Sequence, residues 1–325
     1  MSDKQYRILV SDRAIDPAGL DLLREVAELD FLESYAAPEA FAAKVAAGDA
    51  IFCRNGVIDA SVIDAAPKLK IVSRHGVGYD NVDIDAATKK GIWVSRVPDY
   101  GIEDVSDHAL ALFLACVRKI PYTDRRVREG DWGFPRNRPS YRIRGKTFAL
   151  LGYGAIARAL HRKLSGLGLA RVLVHDPYVE DTEIRAEGAV PASFDDLIAE
   201  ADYLSIHTPL TEDTRGMIDC TRLASMKPTA VIVNTARGGL IDEYALADAL
   251  RTGSIGYAAL DVFKTEPLAL DSPLRGLDTV IITDHHAYYT EESVVELKTK
   301  AAQRVRSALE GGVPEGALNE PRSPV

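Results

Sequence analysis

Three side chains able to do chemistry, Arg237, Glu266 and His285, each follow a short apolar run of the kind that forms a β-strand, and all lie downstream of a glycine-rich turn at residues 152–157. In an open parallel α/β sheet, ligands bind outside the carboxyl ends of the strands, so residues just past successive strands converge on one crevice. A guanidinium can grip an anion, an imidazole can carry a proton, and a carboxylate can tune that imidazole. Beside a dinucleotide, these are the parts needed to reduce a 2-oxo acid. Taken singly, each residue also has a bland reading. Arg237 beside two glycines fits a surface turn, Glu266 before Pro267 a solvated loop, and a histidine after a strand a satisfied polar group. Their joint occurrence with the glycine turn carries the catalytic reading.

The turn reads Gly152-Tyr153-Gly154-Ala155-Ile156-Ala157, directly after the strand-like run 147–151 and opening a helix that carries Leu160, Leu164 and Leu167. Gly152 permits a tight turn, and Gly154 lets the backbone approach a pyrophosphate whose charge meets the helix amino terminus. Ala157 replaces the third glycine, a substitution the motif allows. Asp176-Pro177 ends the next run, 24 positions after Gly152. There a carboxylate accepts from ribose hydroxyls and repels a 2′-phosphate, which favours NAD over NADP.

Short β-like runs alternate with helical patterns along the whole chain, the signature of parallel sheets covered on both faces. Residues 7–10, 29–32, 50–53, 70–73 and 91–95 predict a first sheet, with helices over 17–27 and 38–47. That set has no dinucleotide fingerprint. Residues 147–151, 171–175, 203–207, 230–234, 257–261 and 280–283 predict a second sheet. Between them, Val105, Ala109, Leu112, Phe113, Cys116, Val117 and Ile120 recur at helical spacing and predict one helix over 103–120 with one buried face. A helical run over 291–309 returns the chain to the first module. The expected fold class is α/β with two doubly wound parallel-sheet domains. A dinucleotide-binding domain (102–290) is inserted into an outer domain made of 1–101 and 291–325. The proline-rich polar tail from Asn319 is expected to be loose.

The 325 residues are too many for one ordinary core, and 46% of them are hydrophobic, enough to fill two. Acidic residues outnumber basic ones by 48 to 39, and the net charge of -9 argues against a nucleic-acid or anionic-membrane partner. Three scattered cysteines, Cys53, Cys116 and Cys220, supply neither a disulfide framework nor a metal site. The chain enters its first strand with no room for a signal peptide, and no apolar run approaches the roughly 20 residues of a membrane span. A cytoplasmic location is expected.

Several further motifs stand in order along the chain: Arg74-His75-Gly76-Val77-Gly78-Tyr79-Asp80-Asn81, His207-Thr208-Pro209, Asn234-Thr235-Ala236-Arg237-Gly238-Gly239, Asp261-Val262-Phe263-Lys264-Thr265-Glu266-Pro267 and Thr283-Asp284-His285. With the Gly152 turn, they make nearly the whole chain resemble the D-2-hydroxyacid dehydrogenases, nearest the branch of 3-phosphoglycerate dehydrogenase and the C-terminal binding protein corepressor. The resemblance implies a Rossmann NAD domain inserted into a flavodoxin-like substrate domain, a cleft between them, and a homodimer. It implies that Arg237 clamps the carboxylate of a small 2-oxo or 2-hydroxy acid, that His285 is the acid and base, and that Glu266 hydrogen-bonds the other ring nitrogen and favours the charged imidazole. It further implies a cofactor site built from Gly152, Tyr153, Gly154, Ala155, Ile156, Asp176, Pro177, His207, Thr208, Pro209, Thr214, Thr235, Ala236, Arg237, Asp261, His285 and Ala287. No metal is implied.

The amides of Gly76, Val77 and Gly78, beside His75, can form an anion nest for the substrate carboxylate, although glycines there also serve the turn. Arg54, past another strand, would suit a second anionic group such as a phosphate, or a surface ion pair. Tyr100 and Tyr288 are candidates to narrow the substrate pocket, or to pack. Residues 122–146 hold seven arginines interleaved with Trp132, Phe134 and Tyr141, where the family carries an arm that packs on the partner subunit. A dimer arm is preferred over a nucleic-acid patch because the remainder of the chain is acidic. Two residues depart from the family pattern: Asp284 stands where proline is common and His286 where a small or apolar residue is common, so both are expected to perturb His285. Residues 287–291 resemble the corepressor branch. The leading expectation is an NAD-dependent 2-oxo acid reductase. The alternatives are an NAD(H)-sensing corepressor-like binding protein, or a phosphoglycerate dehydrogenase.

Overall fold

The computed structural model describes residues 5–10, 17–31, 44–54, 56–133 and 139–321. The chain divides into two compact units, Met1–Gly101 with Thr290–Val325, and Ile102–Tyr289. Each is built on its own parallel sheet, which is the α/β class expected from the sequence.

In the first unit, β1 (Tyr6–Val10), β2 (Ala27–Phe31), β3 (Ala50–Cys53), β4 (Ile71–Arg74) and β5 (Trp93–Arg96) lie in the order β2-β1-β3-β4-β5, all pairs parallel. β3 is buried along its whole length, as a central parallel strand covered on both faces must be. Helix Glu291–Leu309 lays Leu297, Ala301, Ala302, Val305 and Leu309 against this sheet and against helix Pro17–Arg24. Two sequence expectations need correction. Helix 17–27 stops at Arg24, because Ala27 pairs with Tyr6 and begins β2. The tail is not loose at Asn319: its side chain accepts from the Val94 N–H at 2.8 Å and donates to Ile92 O and Thr88 Oγ1 at 2.9 Å. Most of the helix expected over 38–47 lies outside the described residues.

The second unit has seven parallel strands. These are β6 (Thr147–Leu151), β7 (Arg171–His175), β8 (Val190–Pro191), β9 (Tyr203–Ile206), β10 (Val231–Asn234), β11 (Tyr257–Leu260) and β12 (Val280–Ile282). Their order, β12-β11-β10-β9-β6-β7-β8, reverses direction at β6, which creates the switch point where such sheets take their ligands. The two-residue β8 was not legible as a strand. Helix Ile102–Arg118 buries Ala109, Leu112, Phe113, Cys116 and Val117 as its periodicity requires. Ile120, expected on the same face, is 56% exposed. Lys119 takes a left-handed backbone (φ 53°) and breaks the helix there. Its ammonium donates to Pro139 O at 2.6 Å and lies over the Tyr257 ring. The next helix, Ile120–Arg128, buries no residue, and Trp132 is exposed. Phe134, Arg136 and Arg138 lie outside the described residues.

All three cysteines are free, two of them buried. Among the described residues no cluster could hold a metal, and no helix is long and apolar enough to cross a membrane.

Candidate active site

Because every strand of the second unit runs the same way, the residues just past β6, β7, β9, β10, β11 and β12 lie along one edge of one sheet. Almost every expected cofactor and catalytic residue is among them. Gly152 follows β6 at φ 90°, donating its N–H to His175 O at 2.8 Å. A β-carbon there would lie 2.8 Å from the backbone of His207 and Thr208, so the turn tolerates only glycine. Gly154 caps helix Ala155–Leu164 and faces open space, leaving room for a phosphate to approach the free amides of the first turn. Asp176, past β7, accepts from the N–H groups of Tyr153 (2.7 Å) and Tyr178 (2.9 Å), which fixes its carboxylate against the turn. Pro177 is exposed beside it. The Tyr153 ring itself points inward, fully buried, with its hydroxyl bonded to His161 and Glu187.

Past β9, Thr208 and Pro209 lead into a loop closed by Thr214, whose Oγ1 donates to Pro209 O at 2.7 Å. His207 bonds Ser205 through Nε2 at 2.8 Å, and burial drives its pKa down to about 4. It is therefore neutral at physiological pH and no rival to His285 as an acid. Past β10, buried Asn234 shapes the arginine turn: its amide donates to Arg237 O at 2.9 Å and accepts from the Ala236 N–H at 3.0 Å. Thr235 Oγ1 is buried with no hydrogen-bond partner among the described residues, a group that a bound dinucleotide would satisfy.

The catalytic candidates come together. Glu266 Oε1 accepts from the Phe263 N–H at 2.9 Å, and Oε2 meets His285 Nδ1 at 2.7 Å. Burial opposes ionisation of Glu266, but the His285 hydrogen bond, the Phe263 N–H and the charges of His285 and Arg237 together hold its pKa below the ordinary value. Gly238, directly after Arg237, is buried against the backbone of Phe263 so closely that any β-carbon would overlap it. The arginine turn is thereby packed onto the loop that carries Glu266. His285 adopts a left-handed backbone (φ 57°), uncommon for a non-glycine residue.

Asp284 and His286, expected to disturb His285, bond each other: His286 Nδ1 meets Asp284 Oδ1 at 2.6 Å. Sequence reasoning missed His108, on helix Ile102–Arg118. It reaches Thr283 Oγ1 at 3.2 Å and stacks edge-on against the His286 ring at 5.0 Å. Burial first, and then the His286 charge, lower its pKa against the pull of Asp261. Asp261 is fully buried, Ala287 is buried and Tyr288 is half-buried.

The remaining candidates belong to the first unit. Among the described residues, the N–H groups of Gly76, Val77 and Gly78 meet no protein acceptor, as an anion nest requires. His75 is buried and stacked on Phe52, so its ring lines no surface. Burial, with the charges of Arg74, Lys298 and Arg54, keeps it neutral. Tyr100 is also buried.

The sequence model described as D-isomer specific 2-hydroxyacid dehydrogenase, NAD binding domain, matches residues 110–287, more than half of the chain. The chain belongs to that family. Its unit Ile102–Tyr289 contains the family's NAD-binding domain, and the glycine turn and Asp176 fit that nucleotide. D-3-phosphoglycerate dehydrogenase of Mycobacterium bovis is 42% identical over 316 residues, covering 96% of this chain, and this chain spans 58% of that protein's length. A glyoxylate reductase of Korarchaeum cryptofilum is 36% identical over 320 residues, covering 97% of this chain and 96% of that one. In three dimensions, a glyoxylate reductase from Paecilomyes thermophila matches with a TM-score of 0.88 at 29% identity, covering 98% of this chain and all of that one.

Proposed function

We propose that this member of the family is an NAD-dependent oxidoreductase that reduces a small 2-oxo acid to the D-2-hydroxy acid. The 2.7 Å contact between His285 Nδ1 and Glu266, beside Arg237 and on the same sheet edge as the glycine turn, carries the reading. The bound nicotinamide supplies the hydride. Arg237 holds the substrate carboxylate with its planar fork, and His285 gives its Nε2 proton to the oxygen that gains charge. Glu266, ionised and fixed by the Phe263 N–H, holds the ring with that nitrogen outward and stabilises the imidazolium. In the oxidative direction neutral His285 takes the proton back.

A phosphorylated substrate is the second reading. It is favoured by Arg54, Arg74 and Lys298, whose positive charges all bear on buried His75 in the first unit. The mycobacterial relatives are named for such a substrate, and this chain covers little more than half of their length. The basic segment 122–146, exposed at Trp132 and Tyr141, serves as a homodimer arm, and the cytoplasm is the proposed compartment.

The experiment follows NADH oxidation with glyoxylate, hydroxypyruvate, phosphohydroxypyruvate, pyruvate and phenylpyruvate. Turnover of at least one is expected, and a preference for phosphohydroxypyruvate would select the second reading. NADH binding without turnover of any 2-oxo acid would sink the enzyme reading in favour of a nucleotide sensor.

A further inference from the structure

The edge of the second sheet opposite the catalytic candidates is hollow. A cavity of about 390 Å³ lies among residues that lead into the strands: Lys146 before β6, Asp202 before β9, Thr229 before β10, Gly256 before β11 and Thr279 before β12. That volume is within the range of small-molecule sites, roughly 300–1,000 Å³. Because β6, β9, β10 and β11 have four or five residues, about 13–17 Å of strand separates this edge from the one that carries the chemistry. The walls are apolar, made by Val117, Tyr203, Val231, Leu250 and Ile255, and the charged groups of the lining are Lys119, Lys146 and Asp202. Asp202 is already engaged: it accepts from the Thr147 N–H at 2.9 Å and meets Lys227 at 3.1 Å and Lys146 at 3.3 Å. Burial opposes its ionisation, but these three partners hold its pKa below the ordinary value. Lys119 is the unusual member. It is buried, its backbone is left-handed at φ 53°, and its ammonium lies 2.6 Å from Pro139 O and 4.5 Å above the Tyr257 ring. A strained backbone and a buried ammonium both cost stability, and strain of this kind concentrates at ligand sites.

We propose that this cavity is a second ligand site, separate from the active site, and that it takes a compact apolar monoanion: an aryl carboxylate whose ring packs on the apolar walls and whose charge meets the Lys119 ammonium. Two lysines against one aspartate leave the lining one positive charge in excess, in a chain whose net charge is -9. A neutral ligand leaves that excess unanswered in a poorly solvated space, and a dianion exceeds it. The inference does not rest on the reductase reading, since none of these residues is a catalytic or cofactor candidate.

The test is calorimetric titration of the full chain with indole-3-acetate and with its neutral isostere indole-3-acetamide. Both are run in an Arg237→Gln background, so that the guanidinium of the active site does not capture the carboxylate. The acid should bind with a Kd of about 0.1–1 mM, the range for so small a ligand, and the amide at least about tenfold more weakly. Adding Lys119→Gln should weaken the acid about tenfold or more and leave the amide within about threefold, which narrows the gap between them. Thr229→Trp, a substitution at the exposed rim, places an indole over the mouth and should abolish binding of both; it stands in if the lysine variant does not fold. Introduced alone, Thr229→Trp should leave NADH binding within about twofold of wild type, which shows that the loss is local. Absence of binding by the acid up to about 10 mM overturns the inference, as does equal affinity for acid and amide, or binding that survives Thr229→Trp.

Discussion

Adjacent histidines at 285 and 286 each hold a carboxylate through Nδ1, Glu266 at 2.7 Å and Asp284 at 2.6 Å. The pairs match in chemistry and distance but not in what stands behind them. Glu266 is braced by the Phe263 N–H, sits near the charge of Arg237, and comes from a different strand end than its histidine. Asp284 is two residues from its histidine and 92% exposed, and the hydrogen bond to His286 is the main cause of its own lowered pKa. A short hydrogen bond is therefore no mark of a working group, since an exposed pair in water is worth little. The mark is the second support, a fixed carboxylate that makes its histidine adopt one orientation.

Replacing His285 with alanine tests this contrast most severely. Loss of the general acid should lower kcat by about 10³-fold in NADH oxidation with any accepted 2-oxo acid. A loss below about tenfold would move the proton donor elsewhere. Next in size is Glu266→Gln, which keeps the shape but removes the charge; kcat should fall about 10²-fold, because the ring is no longer locked in the working tautomer. The matching Asp284→Asn should change kcat less than about threefold, and parity between these two variants would erase the distinction.

A third histidine sharpens the comparison through pH. His207 has a folded pKa near 4 against 6.5 for the free side chain, so between those values the unfolded chain binds a proton that the folded one excludes. Its contribution to stability is complete above about pH 6.5 and declines toward pH 4. Urea midpoints at pH 7 and pH 5 should therefore converge in His207→Asn relative to wild type. The smallest effect is reserved for His286→Ala: turnover should remain within about threefold of wild type, and a loss rivalling that of His285→Ala would reverse the assignment of the proton donor.

Much of this site was legible in the chain because it is local. A glycine turn between strand and helix, an acid at the next strand end and reactive residues past apolar runs are short-range patterns, and parallel strands bring them to one edge. The Ile102–Arg118 helix was legible for the same reason, up to the point where Lys119 adopts a conformation no periodicity announces. What escaped was the long-range pairing. Nothing near His108 ties it to Thr283, 175 residues on. Nothing at Asp284 says that its carboxylate will bond the His286 ring. The anchoring of Asn319 by β5 depends on an edge 225 residues upstream, so a polar, proline-rich composition read as a loose tail.

Gly238 carries a lesson for anyone transplanting this chemistry. Because no side chain fits between it and Phe263, the turn that presents Arg237 and the loop that presents Glu266 form a single cassette. Grafted separately onto another parallel sheet, each would lose the surface that gives it shape. Saturation libraries at position 238 should return only the original residue, and recombination breakpoints between 238 and 263 should be purged unless both parents supply the same backbone.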